Sequence, residues 1–250
     1  MSHDFLTPDA ATREGGFTPV ARSSMTRSAR AAGARFELRD GWEVAVGYST
    51  PEREAAACTT TVGWADVAHL GKLEIQGTPE DMAAIVAQCA GGAQLELGSA
   101  TRAAGAWWCP MTPERTLVLC EPGMVADLRE RLEDAVAAAS PSAGLIEVTT
   151  NYGAMTLVGP LAREVFARFC ALDLRPSATP VRGLRPGSVA RGPGVVVREG
   201  EDRFLMLFGW ALSEYMWTVV SDAAQHLGGS PVGVDALEVV GIASEETSHA

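Results

Sequence analysis

Two hydrophobic patterns recur along the chain, and each of them occurs twice. Residues 71–86 and 153–168 both read as a short alternating strand, a glycine turn with a nearby proline, and the start of an amphipathic helix. Residues 115–139 and 203–227 both open on arginine, continue as an apolar strand and turn into a long helix. Because both pairs are separated by nearly the same length of chain, they predict an α+β fold with duplicated, pseudo-symmetric halves.

The repeats divide the chain into segments. We assign residues 26–142 to the first half of the domain and residues 143–242 to the second. Residues 1–25 are polar and rich in glycine, proline and serine, which is typical of a flexible N-terminal arm. Residues 243–250 are assigned to a C-terminal tail. Because pockets favour boundaries between domains, we expect a ligand site where the halves meet.

Local signals predict several further elements. Residues 35–48 alternate about an Asp-Gly turn and predict a hairpin, as do residues 195–208 about a run of acidic residues. Residues 90–106 are small and glycine-rich, which predicts a loop with one short strand at residues 95–97. Residues 175–194 contain four prolines and four glycines and predict a connector with little regular structure.

Composition and charge exclude several classes of protein. A net charge of −11 over 250 residues argues against a nucleic-acid partner, because phosphate contacts need a basic surface. No apolar run approaches the roughly 20 residues that span a bilayer, and no secretory signal is visible, so we expect a cytoplasmic protein without a membrane segment. The five cysteines are expected to be reduced, and the four histidines lack metal-ligand spacing, so no metal site is expected.

Several motifs resemble the glycine-cleavage T-protein family, the aminomethyltransferases. Residues 41–77 resemble the start of that family, and residues 66–72 within them read DVAHLGK where the family has Asp-Val-Ser-His-Met-Gly-Lys. Residues 157–165 are similar to the family's second strand, Gly-Pro turn and helix, and residues 231–236 resemble its Pro-Cys-Gly-Leu-Gly-Ala turn. The resemblance covers residues 29–242 approximately, with the motifs in the family's order.

The resemblance implies a cofactor and a site. The superfamily also includes sarcosine and dimethylglycine oxidases and the gamma subunit of heterotetrameric sarcosine oxidase, and in its enzymes the duplicated halves enclose a central channel that holds tetrahydrofolate. The implied cofactor-binding residues are Leu70, at a channel-lining position of the family, together with Trp107, Trp108 and Tyr152. The tryptophans offer stacking surface for a flat pterin, and since neighbours in a strand face opposite ways, one of them should be exposed or lie against a ligand or partner. His69 is expected to be a half-buried, hydrogen-bonded histidine with a structural role.

Some positions depart from the family pattern. The family's Asn-Asp pair, whose Asp is its key acid, corresponds to residues 88–92, which read QCAGG. The Glu with which the family anchors the pterin corresponds to Leu205, and residues 107–115 are expected to be a shortened connection where the family has a long hairpin. No catalytic residue is therefore assigned, and tetrahydrofolate is expected to bind weakly because the pterin's donors lose a partner.

The sequence leaves two functions open. The first is a tetrahydrofolate-linked protein for one-carbon (aminomethyl or methyl) transfer that works as a subunit of a larger complex. The alternative is a non-catalytic assembly subunit similar to the gamma chain of sarcosine oxidase. Because the chain ends about where the family's C-terminal barrel domain begins, the expected partner is a barrel-containing or a flavin amine-oxidase-like subunit. Trp210, Tyr215 and Trp217, near the start of the last helix, are the candidate partner contacts, since aromatic residues are enriched in interfaces.

Overall fold

The structure is a computed structural model that describes residues 19–240. The predicted tail and most of the predicted N-terminal arm therefore lie outside the described residues. Residues 19–25 of the predicted arm are described and are docked on the fold, because Ala21 and Arg22 pair with a neighbouring strand and Met25 is fully buried.

Helices and strands are mixed along the whole described chain, which confirms the α+β class. The helices are Thr26–Ala31 (α1), Pro51–Thr60 (α2), Pro79–Cys89 (α3), Val125–Ala139 (α4), Ala162–Ala167 (α5) and Ser213–Gln225 (α6). Residues 234–240 are also helical. The strands are Ala21–Arg22 (β1), Arg35–Arg39 (β2), Trp42–Gly47 (β3), Gly63–Asp66 (β4), Gly71–Gln76 (β5), Thr101–Ala103 (β6), Ala106–Thr112 (β7), Arg115–Cys120 (β8), Gly144–Glu147 (β9), Tyr152–Val158 (β10), Leu184–Val189 (β11), Gly192–Arg198 (β12), Arg203–Gly209 (β13) and Ser230–Pro231 (β14).

These strands form a small sheet and two larger ones. The small sheet has the order β1-β3-β2, the six-stranded sheet β11-β12-β13-β10-β4-β14, and the five-stranded sheet β6-β7-β8-β5-β9. Side chains of both larger sheets, among them Ala65, Leu117 and Leu207, meet in one apolar cluster, which we call the inter-sheet cluster. The opposite face of the five-stranded sheet packs against α3 and α4, and that of the six-stranded sheet packs against α1, α5 and α6. The two larger sheets therefore face each other, with helices outside both.

The two larger sheets share a strand order. The run β6-β7-β8-β5 in one sheet matches β11-β12-β13-β10 in the other, and each antiparallel hairpin, β7–β8 and β12–β13, is followed by a helix. The strand beside β5 in one sheet and the strand beside β10 in the other are exchanged between the two halves of the chain. β4, which precedes β5, pairs with β10, and β9, which precedes β10, pairs with β5. The chain therefore crosses between the sheets twice, at residues 67–70 and 148–151.

Local sequence signals explain where two elements begin. At the start of α3, the Thr78 hydroxyl accepts a hydrogen bond from the Asp81 amide, and the Asp81 carboxylate accepts one from the Thr78 amide. These two hydrogen bonds form a capping box. The first helical residue within it is Pro79, which lacks the N–H that would have no partner in the first turn. The predicted hairpin at residues 35–48 is confirmed as β2–β3, with Asp40 and Gly41 both at positive φ, as a tight hairpin turn requires.

Three local predictions differ from the structure, while the predicted hairpin at residues 195–208 is confirmed as β12–β13. Within the described chain, no strand forms at residues 95–97, and the predicted short connection at residues 107–115 forms most of β7 and its turn into β8. The predicted irregular connector contains β11 and the start of β12. β11 is an edge strand, where Pro186 need not donate to a neighbour, so this proline does not prevent pairing.

Candidate functional site

The inter-sheet cluster brings together three of the four predicted ligand residues. Leu70, Trp107 and Tyr152 are all partly buried and pack against this cluster. Leu70 lies on the first crossing between the sheets, Trp107 on β7, and Tyr152 at the first position of β10. Met111 and Trp210, which the sequence did not single out for a ligand, pack against the same cluster. The region between the sheets, which the inter-sheet cluster occupies, is therefore the candidate site.

Trp108 faces away from this space. Its ring is fully buried between the five-stranded sheet and the helices α3 and α4, and its indole Nε1 donates to the carbonyl of Ala103 at 3.1 Å. Successive strand residues point to opposite faces, so Trp107 takes the inter-sheet side, where its ring lies 5.6 Å from the guanidinium of Arg102. The prediction that Trp108 contacts a cofactor is therefore corrected, because its ring is enclosed by protein, and of the two tryptophans only Trp107 lies on the inter-sheet side.

The predicted residues lie at two levels of the five-stranded sheet. Leu119 of β8 is paired with Trp107 on one side and with Lys72 on the other. Tyr152 of β10 lies near the opposite end of β8, where its hydroxyl is 3.3 Å from Nη2 of Arg115. Leu119 and Arg115 are four residues apart in the strand, which is about 13 Å. This spacing suits an elongated ligand.

Polar side chains line the end of the site near Tyr152. Glu74 is buried, and its carboxylate accepts hydrogen bonds from Nη2 of Arg115 and from Nε2 of Gln76, both at 2.6 Å. The hydrogen bond to Glu74 raises the pKa of Arg115 above its ordinary value. Nε of Arg115 is buried and has no hydrogen-bond partner within residues 19–240. Both oxygens of Glu74 thus accept hydrogen bonds from protein groups, whereas Nε of Arg115 has no acceptor among the described residues.

Asp66 and Lys72 are two buried ionisable residues at the first crossing between the sheets. Asp66 is 7% exposed and Lys72 is 0% exposed. Oδ1 of Asp66 accepts a hydrogen bond from the amide of Ala68 at 3.0 Å, and Nζ of Lys72 donates to the carbonyls of Ala68 and Leu70 at 2.9 and 2.7 Å. Burial raises the pKa of Asp66 and lowers the pKa of Lys72, and each charge partly offsets this effect on the other. Both groups hold the first crossing between the sheets.

His69 lies between the two carbonyls that Lys72 holds. Its side chain is partly exposed, as predicted, but no residue of the described chain hydrogen-bonds to its ring, so the predicted hydrogen bond is not formed there. Desolvation lowers the pKa of His69 to about 4, and the positive charges of Lys72 and Arg39 act in the same direction. The imidazole is therefore neutral at physiological pH.

Replacing His69 by glutamine should reduce the loss of stability at acidic pH. The folded-state pKa of about 4 lies below the ordinary value of 6.5, so the unfolded chain binds more protons between these pH values and stability falls as pH decreases through them. Urea unfolding at neutral and at acidic pH measures this loss. In His69→Gln it should be smaller than in the wild type by about 2 kcal/mol.

The matched control for this change is His226→Gln. His226 is exposed on the surface, and its ring lies 2.7 Å from the carbonyl of Asp222. The raised pKa of Asp66 contributes a slope of opposite sign that is common to all three proteins. Equal losses on acidification in the wild type and both variants would contradict the assignment to His69.

The polar residues of this site were not predicted from the sequence. Lys72, Glu74 and Gln76 alternate along β5 with Leu73 and Ile75, and the two apolar residues face the helices. Successive strand side chains point to opposite faces, so the three polar ones face the inter-sheet side. This alternation was the available signal, but it is equally typical of a strand with one face in water.

Two positions that the resemblance pairs with family acids lie in different surroundings. Residues 88–92 stand at the end of α3, where Cys89 and Ala90 pack among the helices and not between the sheets. Leu205 is buried in the inter-sheet cluster. A position that the resemblance pairs with a pterin-anchoring carboxylate therefore faces the site and is apolar.

A separate crevice lies on the helix side of the six-stranded sheet. It has a volume of about 300 Å³ and is lined by residues of α1, β4 and α6, among them Ser28, Trp64, Trp217 and Ser221. Nε1 of Trp64 and Oγ of Ser221 have no partner among the described residues, but both atoms are covered by protein. The crevice does not offer them to a ligand, and its lining contains none of the predicted ligand residues.

The predicted partner contacts near the last helix are unequally exposed. Trp217 is buried, with its ring centre 6.3 Å from that of Tyr48, and Trp210 is partly buried against both the inter-sheet cluster and the helices. Tyr215 is 48% exposed. Of the three, Tyr215 therefore presents the largest fraction of its side chain to a partner.

Within residues 19–240, no helix has the length and apolar character to cross a bilayer. In the same residues, no group of three His, Cys, Asp or Glu side chains is placed to share a metal ion. All five cysteines are free thiols.

Comparison with known structures shows the fold. The chain superposes with a TM-score of 0.74 on the glycine cleavage system aminomethyltransferase T from Bartonella henselae, at 16% identity over 87% of this chain and 60% of that one. It superposes with a TM-score of 0.62 on a chain of the heterotetrameric sarcosine oxidase from Corynebacterium sp. U-96, at 21% identity over 72% of this chain and 93% of that one. These similarities confirm the T-protein-like fold.

Sequence comparison shows the family. A segment of 56 residues is 41% identical to an aminomethyltransferase from Picosynechococcus sp., which is 22% of this chain and 15% of that protein. The chain thus spans less than two thirds of the length of both aminomethyltransferases. Residues 77–226, more than half of the chain, match the model of the "sarcosine oxidase, gamma subunit" family. The chain therefore belongs to the sarcosine oxidase gamma subunit family, within the T-protein-like superfamily.

Proposed function

We propose that this chain is a subunit of a hetero-oligomeric complex of amine or one-carbon metabolism and that it binds tetrahydrofolate weakly between its two larger sheets. The observation that carries the proposal is the convergence of Leu70, Trp107 and Tyr152 on the inter-sheet cluster. These residues come from three separate elements of the chain. Membership of the gamma subunit family and the structural similarity to a chain of a heterotetrameric sarcosine oxidase support the hetero-oligomer.

We propose further that the domain is duplicated. The halves would be residues 26–142 and 143–242, related by a pseudo-twofold axis, with the ligand channel between them. The shared strand order of the larger sheets and the exchange of β4 and β9 support this. Superposing the two halves tests the proposal, since helices at unrelated positions would contradict it.

The residues of the site fit tetrahydrofolate in part. Trp107 offers an aromatic surface, and the spacing of about 13 Å along β8 suits an elongated molecule. Leu205 and the committed carboxylate of Glu74 leave few acceptors for the pterin's donors, which supports weak binding. When bound, tetrahydrofolate would supply the one-carbon carrier, and this chain would hold and orient it.

The same observations favour a second candidate, a non-catalytic assembly subunit. An apolar residue at Leu205 removes an anchor for the pterin without disturbing the packing between the sheets. The partner would be a barrel-containing or flavin amine-oxidase-like subunit, and Tyr215 is the exposed candidate contact. The free thiols of all five cysteines support a reducing compartment, and we place the protein in the cytoplasm.

Titration with tetrahydrofolate, followed by tryptophan fluorescence, separates the two candidates. The first predicts a weak, saturable change that Trp107→Leu abolishes and the exposed control Tyr215→Ala retains. No change up to millimolar tetrahydrofolate would reject cofactor binding and leave assembly as the function.

The isolated chain should show no aminomethyl or methyl transfer. The physical reason is that the resemblance places no carboxylate at residues 88–92 and that Glu74 is already paired. The measurement is an assay of the purified chain with tetrahydrofolate and methylamine-type donors. Robust turnover by a monodisperse monomer would contradict the requirement for a partner.

A further inference from the structure

Lys72 touches both crossings between the larger sheets. Its ammonium donates to the carbonyls of Ala68 and Leu70 on the first crossing. Its backbone amide donates to Oγ1 of Thr149 at 3.1 Å, and its carbonyl accepts from the amide of Val148 at 2.8 Å, so its main chain holds the second crossing. One fully buried residue thus connects the two segments through which the chain changes sheet.

Each crossing leads directly to a candidate ligand residue. Leu70 is the last residue of the first crossing, and Tyr152 follows the second, whose residues Thr149–Asn151 form a single 3-10 turn. The first crossing is a tight turn, closed by a hydrogen bond from the amide of Leu70 to the carbonyl of Val67 at 3.1 Å. The positions of both ligand residues therefore depend on how the crossings are held.

A buried charge is an unusual choice for a purely structural role at this position. Burying an ammonium and a carboxylate costs several kcal/mol each in desolvation, and apolar residues of similar volume often stabilise a protein as well or better. What Lys72 and Asp66 add over apolar residues is direction, because their hydrogen bonds fix the peptide groups of Ala68 and Leu70. A methionine would fill much of the same space without orienting either carbonyl.

We propose that Lys72 is a positioning residue of the inter-sheet site, with Asp66 as its partner, and that its side chain sets the placement of Leu70 for ligand binding. The part that concerns the ligand rests on the proposed tetrahydrofolate site. The part that concerns the crossings is independent of any ligand.

Lys72→Met and Lys72→Arg test this proposal. Lys72→Met keeps an apolar stem of similar length and loses every donor, whereas Lys72→Arg keeps the charge and the donors. Leu132→Ala is the control for general destabilisation, because Leu132 is fully buried among the helices outside the five-stranded sheet. The measurements are amide hydrogen exchange at Ala68 and Leu70, whose carbonyls the Lys72 side chain holds, and tetrahydrofolate affinity, all on the full chain.

In Lys72→Met, exchange at these amides should accelerate at least about tenfold beyond that in Leu132→Ala, and affinity should fall about tenfold, which is 1.4 kcal/mol. Lys72→Arg should recover both in part. Exchange in Lys72→Met no faster than in the control would overturn the proposal. If the wild type does not bind tetrahydrofolate, the proposed cofactor fails, and the exchange data still decide the role of Lys72.

A measurement on the wild type keeps the proposal testable if Lys72→Met does not fold. Lys72 is the only lysine in the 250 residues, so selective ¹⁵N-lysine labelling gives one side-chain signal. An ammonium held by two carbonyls should exchange its protons slowly enough to be observed. A freely rotating, rapidly exchanging amine would overturn the proposal.

Discussion

Replacing Trp108 by alanine should lower the free energy of unfolding by about 3 to 5 kcal/mol, the range for deleting a large buried aromatic side chain. Trp108 is fully enclosed among the helices and the five-stranded sheet, so the change leaves a cavity. It also leaves the carbonyl of Ala103 without the indole donor. Equilibrium unfolding in urea measures the loss.

The adjacent Trp107→Ala is the matched control. Trp107 is only partly buried, at the inter-sheet cluster, so its removal should cost less than about 2 kcal/mol. This pair separates packing from ligand contact, because Trp107→Ala should lose any tetrahydrofolate response while staying folded. Similar stability losses in the two variants would contradict the opposite orientations of the rings.

Replacing Glu54 by glutamine should destabilise the protein by about 3 kcal/mol, since an amide cannot accept all three hydrogen bonds that the carboxylate accepts. Glu54 is 3% exposed, and its oxygens accept from the amides of Tyr48 at 2.7 Å, Ser49 at 2.6 Å and Gly233 at 2.7 Å. Glu54 therefore connects the residues that follow β3 to Gly233, which directly precedes the helical residues 234–240. Thermal or urea unfolding measures the effect.

Glu52→Gln is the control for this change. Glu52 lies in the same helix, in its exposed first turn, where loss of one solvent-screened charge near the helix N-terminus should cost far less than loss of the Glu54 carboxylate. If Glu54→Gln were no less stable than Glu52→Gln, the three backbone hydrogen bonds would not be holding the C-terminal segment in place.

The sequence predicted the elements whose signals are local. The capping residues around Thr78 start α3, and the Asp40-Gly41 turn sets the β2–β3 hairpin. The edge strand β11 could not be predicted in the same way, because its single proline, Pro186, is tolerated only owing to the strand's place at the edge of a sheet. That place is a property of the assembled fold.

The candidate site was predicted in part for the same reason. Alternation along a strand shows that Trp107 and Trp108 face opposite ways, but it does not show which of them faces the other sheet. The contacts of Lys72 with Ala68 and Thr149 depend on two crossings that meet only when the strands are exchanged. Local sequence patterns cannot predict contacts between segments that are this far apart in the chain.

A crystal structure of the chain with tetrahydrofolate would test the central claim most directly. We predict that the cofactor lies between the two larger sheets, in contact with Leu70 and Trp107 and extending towards Tyr152. Cofactor bound elsewhere, such as in the crevice between α1 and α6, or a space between the sheets that stays closed at saturating ligand, would contradict it.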